Sequence, residues 1–146
     1  MLAYKDWPEK ELVLSNFDIL KTDAVEAEML TGRTDIRGAA RLLAGWGPKE
    51  IVLTHRDGVL VFADGEFLDA PFRPQKLAGR SGRGDTCIAS YVARRLCAGP
   101  RDACIWAAAV TSLKLEAEGP IKRTVDEVHQ WIRHMYGDGS ALRPCV

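Results

Sequence analysis

A chain of 146 residues is long enough for one domain with a sizeable core, and its composition is ordinary for a globular protein. Its 20 lysine and arginine residues balance 20 aspartate and glutamate residues, so the charge gives no basic footprint for nucleic acid. No apolar run reaches membrane-spanning length, and the first residues lack the apolar core of a signal peptide. We therefore expect a cytoplasmic protein that binds neither nucleic acid nor a membrane.

The first half of the chain alternates strand and helix patterns, and the second half is helical. The predicted strands, which are short apolar runs between turn residues, cover 17–21, 50–54, 59–62 and 67–70. The predicted helices, which are periodic runs with start and stop signals, cover 24–30, about 36–45, 86–97, 100–115 and 125–135. This order is typical of an α/β layered domain.

Capping residues mark several of the predicted helix starts. Asp23 is expected to cap the first helix and either Thr34 or Asp35 the second, while Thr124 and Glu127 have the spacing of a capping box. The Trp7-Pro8 pair is expected to prevent any element around it.

A glycine-rich stretch precedes the third predicted helix. Three glycines fall within six residues, and Asp85 follows the last of them. Glycines let successive N–H groups point into one concavity, and a helix start adds its positive dipole end, so the loop suits phosphate. A carboxylate beside an anion is costly unless it takes a proton from the attacking group. The loop therefore indicates phosphoryl transfer to a hydroxyl.

Three other interpretations of this loop remain open. Asp85 can be an ordinary helix cap. A dinucleotide loop would read GxGxxG, whereas the order here is GxxGxG and no clear strand runs directly into it. The tripeptide Arg83-Gly84-Asp85 would act in adhesion only on an exposed loop of a secreted protein.

Two carboxylates follow the first predicted strand. Asp23 and Glu26 are one helical turn apart and face the same side. Strand ends are where open α/β sheets bind ligands, and Mg²⁺ takes one or two carboxylates while keeping several waters. The pair is a candidate Mg²⁺ site, and plain helix capping with a solvated Glu26 is the alternative.

The cysteines and histidines indicate no metal site. No two cysteines form a CxxC pair, so we expect reduced core thiols, at Cys87, Cys97, Cys104 and Cys145. The histidines lack a metal-binding spacing, and surface or capping roles are expected, at His55, His129 and His134.

Three motifs in this order resemble the ribokinase-like sugar kinases, or PfkB carbohydrate kinases. Residues 21–32 match the family stretch Lys-x-Asn-x-x-Glu-x-Glu-x-Leu-Thr-Gly, residues 52–58 match its strand–turn–strand, and residues 82–86 match its Gly-Ala-Gly-Asp loop. The match runs from about residue 17 to about residue 128. The resemblance implies a three-layer α/β/α sandwich, of which residues 1–146 form a single partial domain with the C-terminal part of the sheet.

The resemblance also implies roles for individual residues. Asp85 would be the catalytic base and Glu26, with Asp23 beside it, would organise Mg²⁺ through water. The backbone of three residues would form the anion hole for the transferred group, at Gly82, Arg83 and Gly84. Nucleotide neighbours would lie in two places, at Thr54, Gly58 and Arg80 and along 107–111, which would flank the adenine. The implied function is ATP-dependent phosphoryl transfer to a hydroxyl of a sugar or sugar-like molecule, with ATP and Mg²⁺ bound.

The chain departs from the family pattern at three positions. Asp23 stands where the family usually has Asn, Arg83 replaces a small residue, and Gly79 replaces an Asp that in many members helps to bind a monovalent cation. A guanidinium from Arg80 or Arg83 could supply the charge of that cation and contact phosphate, so we expect no K⁺ activation. The alternative is that both arginines point to solvent.

Family members are much longer, and the part without a counterpart here would precede residue 17 and carry the sugar site and lid. We expect 1–16 and 137–146 to be loosely ordered, the chain alone to be inactive, and exposed edges along 17–21 and 51–54 to favour homo-oligomers or association with the missing half. Two alternatives remain, a non-catalytic nucleotide-binding fragment or module and a kinase of a nucleoside or vitamin-like alcohol.

Overall fold

The structure is a computed structural model that describes residues 7–79, 81–137, 142 and 145. Helices and strands follow one another in this part of the chain in the order α1 (Lys10–Leu14), β1 (Ile19–Asp23), α2 (Ala24–Thr31), α3 (Ile36–Gly45), β2 (Glu50–Thr54), β3 (Gly58–Ala63), β4 (Glu66–Pro71), α4 (Arg83–Arg95), α5 (Pro100–Leu115) and α6 (Val125–Tyr136).

The four strands form one sheet in the order β1-β2-β3-β4. Strands β1 and β2 are parallel, and Asp23 lies opposite Thr54 in their register. Strands β3 and β4 are joined by Asp64 and Gly65, whose φ angles of 51° and 79° are the positive values that a two-residue type I′ hairpin needs. The predicted hairpin and the α/β class are confirmed.

The edges of the sheet differ from the prediction. Strand β2 lies between β1 and β3 and all its residues are buried, so the expectation of an exposed edge along 51–54 is wrong. Strand β1 is an edge strand, but it begins at Ile19 and is only half-buried, with Thr22 as its one buried residue. The predicted short buried strand over 17–21 is thus displaced toward the C-terminus, because the chain reverses after α1 through backbone bonds at Asn16 and Phe17.

Local capping chemistry determines three helix starts as predicted. Asp23 and Thr124 each accept a bond from the backbone N–H three residues later, and the glutamate there returns one to the cap, so both form capping boxes. Asp35, rather than Thr34, caps α3 by accepting from the N–H of Gly38.

The chain divides into two compact units, Met1–Arg56 with Leu60–Leu68, and Asp57–Val59 with Asp69–Val146. The core of the first unit is formed by apolar residues of its helices and of β2 and β3, at Leu14, Ala27, Ala39, Ala40, Leu43, Ile51, Leu53 and Leu60. Helix α1 was not predicted, since Trp7-Pro8 was expected to prevent an element. The helix begins after that pair and is retained because Leu14 enters the core.

Helix α5 is the centre of the second unit and is buried nearly all round, since most of its residues from Ala103 onward are apolar. It packs against α4 and α6, and Val128, Ile132 and Leu142 contribute to the shared apolar cluster. The apolar side chain of Val125, in the first turn of α6, lies outside this cluster and is 61% exposed. Most of 138–146 lies outside the described residues, but Leu142 is buried in this cluster.

Two expectations about cysteine and histidine are wrong. Cys97 and Cys145 form a disulfide with a Cα–Cα distance of 5.7 Å, because Cys145 lies beside the end of α4, whereas Cys87 and Cys104 are buried thiols outside any disulfide. His129 lies against Trp106, with ring centroids 5.0 Å apart, and burial followed by the charges of neighbouring arginines lowers its pKa. Among the described residues, no helix is both long and apolar enough to cross a bilayer.

Candidate active site

The glycine-rich stretch opens α4. The helix begins at Arg83, three residues earlier than predicted, with Gly82 as its N-cap at φ 75°. The first N–H groups of an α-helix have no acceptor inside the helix, and Thr86 makes the first such bond, to the carbonyl of Gly82 at 3.0 Å. The N–H groups of residues 83–85 are therefore oriented as in the anion sites at helix N-termini.

Asp85 is the third residue of this helix and is exposed. The N-cap is Gly82 and α4 has no side-chain cap bond, so the interpretation of Asp85 as an ordinary cap is wrong. The adhesion and dinucleotide interpretations fit poorly too, because Arg83-Gly84-Asp85 is helical rather than a loop, and β4 ends at Pro71, well before Gly82. A carboxylate in the first turn is favoured by the helix dipole.

The segment that leads into α4 is fixed along helix α5. The N–H of Arg73 donates to the hydroxyl of Ser112 at 3.0 Å, and the N–H of Gln75 donates to a carboxylate oxygen of Glu116 at 2.9 Å. The hydroxyl of Tyr136 donates to the carbonyl of Pro71, and burial raises the pKa of Tyr136 to about 12, so this donor stays protonated at neutral pH. These bonds position the residues before the glycine loop.

Gly79 packs against the end of α5. The N–H groups of Ala78 and Gly79 donate to the carbonyl of Leu115 at 2.8 and 3.2 Å. A Cβ atom on Gly79 would lie 2.6 Å from the carbonyl oxygen of Ala117 and 3.1 Å from Cα of Glu118. There is no room here for the aspartate that the resemblance implies at this position, so the glycine has a steric cause.

The two arginines of the loop differ in what the structure describes. Arg83 is half-buried, and its guanidinium carbon lies 6.0 Å from the ring centroid of Phe72, at the outer range of a cation–π contact. It therefore does not simply extend into solvent. Arg80 lies outside the described residues.

One basic residue near this helix start, Lys114, was not predicted from the sequence. Lys114, in the last turn of α5, is only 5% exposed. Its Cε atom lies 3.9 Å from the place where a Cβ on Gly82 would be. A single lysine in a helix that is otherwise apolar nearly all round was the available signal.

Gly58 and residues 107–111 were expected to lie near the nucleotide, and both have a packing role in the structure. Gly58 begins β3, and a Cβ there would meet the carbonyl oxygen of Ala70 and lie 2.9 Å from Cα of Pro71. Residues 107–111 are buried inside the second unit, so the expectation that they flank an adenine ring is wrong for this conformation. Helix α5 covers this face with neighbouring helices rather than exposing it.

The two carboxylates predicted to hold Mg²⁺ lie in the first unit. Oδ1 of Asp23 accepts from the N–H of Glu26, and Oε2 of Glu26 accepts from the N–H of Asp23, both at 2.8 Å. The ammonium of Lys21 lies 3.9 Å from Oε2 of Glu26. Thr54 stands opposite Asp23 at the ends of the parallel strands, with its side chain buried. Helix capping, the alternative left open by the sequence, is thus present.

Among the described residues, no group of three or more His, Cys, Asp or Glu is arranged to hold a metal ion. The capping box uses one oxygen of each carboxylate and leaves Oδ2 of Asp23 and Oε1 of Glu26 outside it. This donor set fits a hydrated cation held through water better than a closed metal cage.

Comparison with known proteins finds similarity to kinases. No family model matches the chain. A solved sulfate complex of a pyrophosphate-dependent kinase in the ribokinase family is 44% identical, with a TM-score of 0.76 over 82% of this chain and 43% of that one. Over most of its length the chain is thus similar to part of a kinase of the ribokinase family. Its α/β fold is accordingly part of the ribokinase-like fold.

Two other kinases are also similar to the chain. A solved pyrophosphate-dependent myo-inositol-1 kinase, converted into a myo-inositol-3 kinase, is 42% identical with a TM-score of 0.79 over 90% of this chain and 47% of that one. The cytidine kinase of Thermococcus kodakarensis is 34% identical over 97 residues, which are 64% of this chain and 34% of that protein. The chain therefore spans less than half the length of the relatives it matches.

Proposed function

We propose that the protein is a kinase, or the donor-side part of one, that transfers a phosphoryl group from a phosphoanhydride to a hydroxyl of a sugar-like molecule. The observation that carries this proposal is the exposed carboxylate of Asp85 in the first turn of α4, next to backbone N–H groups that have no acceptor within the helix. Such N–H groups stabilise an anion, whereas the carboxylate is suited to accept the proton of an attacking hydroxyl.

Each residue of the helix start has one task in this proposal. The N–H groups around Gly82, Arg83 and Gly84 take up charge on the phosphoryl group during transfer, when little covalent chemistry is left to the protein. Asp85 accepts the proton as the hydroxyl oxygen forms its bond to phosphorus and the bridging P–O bond of the phosphoanhydride breaks, with the rest of the donor leaving as ADP from ATP or as phosphate from pyrophosphate.

Mg²⁺ is proposed as the cation of the reaction, held through water by Asp23 and Glu26. The exposed Glu26 and the carboxylate oxygens outside the capping box support this role. When bound, Mg²⁺ would neutralise the charge of the donor phosphates. The aspartate at position 23, where the family usually has Asn, adds one negative charge for the cation.

ATP is the donor that the sequence motifs imply, and pyrophosphate is the second candidate. Two observations favour pyrophosphate. The solved structures at 42–44% identity are described as pyrophosphate-dependent kinases. The surface expected to flank adenine, along 107–111, is buried. Groups suited to phosphate are present at the start of α4, and they would serve either donor.

The acceptor is proposed to be a polyhydroxylated small molecule. The relatives' descriptions name myo-inositol, cytidine and ribose, each of which offers hydroxyls on a ring. A sugar, a cyclitol and the ribose of a nucleoside are therefore the acceptor classes to test.

A matrix of donors and acceptors tests the proposal. The protein from its complete reading frame is incubated with Mg-ATP or Mg-pyrophosphate and with ribose, myo-inositol or cytidine, and phosphorylated products are quantified by mass spectrometry. We expect product with at least one donor, and a higher kcat/KM with pyrophosphate if the buried 107–111 surface excludes adenine. Absence of transfer across the whole matrix would favour the non-catalytic binding module.

Activity is expected to be independent of K⁺. Gly79 has no room for the acidic side chain that would help to hold a monovalent cation. Turnover measured in Na⁺, K⁺ and tetramethylammonium buffers at constant ionic strength should be equal. Strong stimulation by K⁺ alone would contradict this expectation.

A further inference from the structure

The side chain of Lys114 is buried for most of its length beside a cavity at the end of α5. Its side chain is 5% exposed, and among the described residues no carboxylate lies within salt-bridge distance of its ammonium. Removing an ammonium from water is costly unless an anion or several hydrogen bonds compensate for it. The negative end of the α5 dipole offers part of that compensation, since Lys114 lies in its last turn.

The position of Lys114 relative to α4 is the second observation. Cε of Lys114 lies 3.9 Å from the Cβ position on Gly82, the N-cap of α4. The loop in front of α4 is held on the end of α5 by the bonds from Ala78 and Gly79 to Leu115. The end of one helix therefore brings a lysine to the positive start of another, where two sources of positive charge would repel unless an anion lies between them.

We propose that Lys114 is a donor-binding residue, whose ammonium contacts the phosphoanhydride phosphate held at the start of α4. This inference deepens the proposed function and rests on it for the identity of the ligand. The lysine is a built-in cation that would act whether the donor is ATP or pyrophosphate, because it recognises phosphate rather than a base. A strongly hydrated ammonium on a flexible stem is well suited to a single phosphate oxygen.

A pair of lysine variants tests the assignment. Lys114→Met keeps the length and the apolar stem of the side chain but removes its charge. Lys122→Met is the matched control, because Lys122 is exposed and both lysines line one cavity of about 400 Å³. Binding of Mg-pyrophosphate and of Mg-ATP to the complete protein is measured by calorimetry. Loss of one hydrogen bond between charged groups should weaken binding by about 10- to 100-fold in Lys114→Met. Lys122→Met should bind as the unmodified protein does.

Kinetics and stability separate this role from a structural one. The KM of the donor should rise in Lys114→Met while the KM of the acceptor stays the same, and the melting temperature should stay the same or increase, because an unpaired buried charge is removed. Lys114→Gln replaces Lys114→Met if circular dichroism shows that the latter does not fold. Unchanged donor affinity in a folded neutral variant overturns the inference.

The result distinguishes the two proposals. If the protein binds pyrophosphate through Lys114 but transfers nothing to any acceptor, the proposed kinase function fails and the assignment of Lys114 stands. If phosphoryl transfer is found and Lys114→Met has normal donor affinity, the kinase function stands and the assignment of Lys114 fails.

Discussion

Asp85→Asn is expected to lower kcat by at least about 100-fold, the lower end of the effect of losing a general base. The variant keeps the size and the helix of the original residue but cannot accept the proton of the acceptor hydroxyl. Because the donor is held by backbone N–H groups, donor affinity should change little. Steady-state kinetics and calorimetry with the active donor measure the two quantities separately.

Asp102→Asn provides a matched control. Asp102 is the third residue of α5, as Asp85 is of α4, so both substitutions remove a carboxylate from the same position in a helical first turn. Each should cost about 0.3–1 kcal/mol of helix stabilisation. A loss of turnover restricted to Asp85→Asn identifies a chemical role. If the two variants are equally active, Asp85 has no chemical role and only stabilises the start of α4 through the helix dipole.

Short-range chemistry explains why much of the fold could be predicted. The capping boxes at Asp23 and Thr124 and the Asp64-Gly65 hairpin depend on residues within a few positions of one another. Helix α1 was missed because its stability comes from Leu14 entering a core built from distant segments. The Cys97–Cys145 disulfide was missed for a similar reason, since 48 residues separate its members.

Some residues of the candidate site could also be predicted from local sequence, and others depend on packing between distant segments. The glycine loop, Asp85 and the pair Asp23 and Glu26 could be named from local spacing, because their residue types are unusual where they stand. Lys114 could not be, since its burial and its closeness to Gly82 depend on how α5 packs. Residues 107–111 were wrongly expected to contact adenine because small residues in a helix are compatible both with a ligand-binding surface and with close helix packing. In this structure they pack against neighbouring helices.

The family resemblance and the structure give Gly58 different explanations. Family motifs place Gly58 over the nucleotide, and the structure places it against backbone atoms of the neighbouring strand. The N–H of Phe72 also donates to the carbonyl of Asp57 at 2.8 Å, so the start of β3 and the end of β4 are fixed together. A glycine at such a site is required by packing whether or not a ligand approaches it.

Gly58→Ala is expected to lower the free energy of unfolding by about 1–3 kcal/mol, the usual cost of forcing an extra methyl into a packed site. The new Cβ would meet the carbonyl oxygen of Ala70 and lie 2.9 Å from Cα of Pro71, and backbone atoms cannot rotate away as a flexible side chain can. Urea denaturation followed by circular dichroism measures the change. Gly45→Ala is the control, because a Cβ at that end of α3 meets nothing within 4 Å.

The control should be neutral or stabilising by up to about 1 kcal/mol, since alanine favours a helix over glycine. The comparison separates packing from ligand binding at Gly58. A stability loss that is the same with and without donor would assign the glycine to the close approach of β3 and β4. Full stability of Gly58→Ala together with weaker donor binding would instead return Gly58 to the nucleotide site that the family motifs imply.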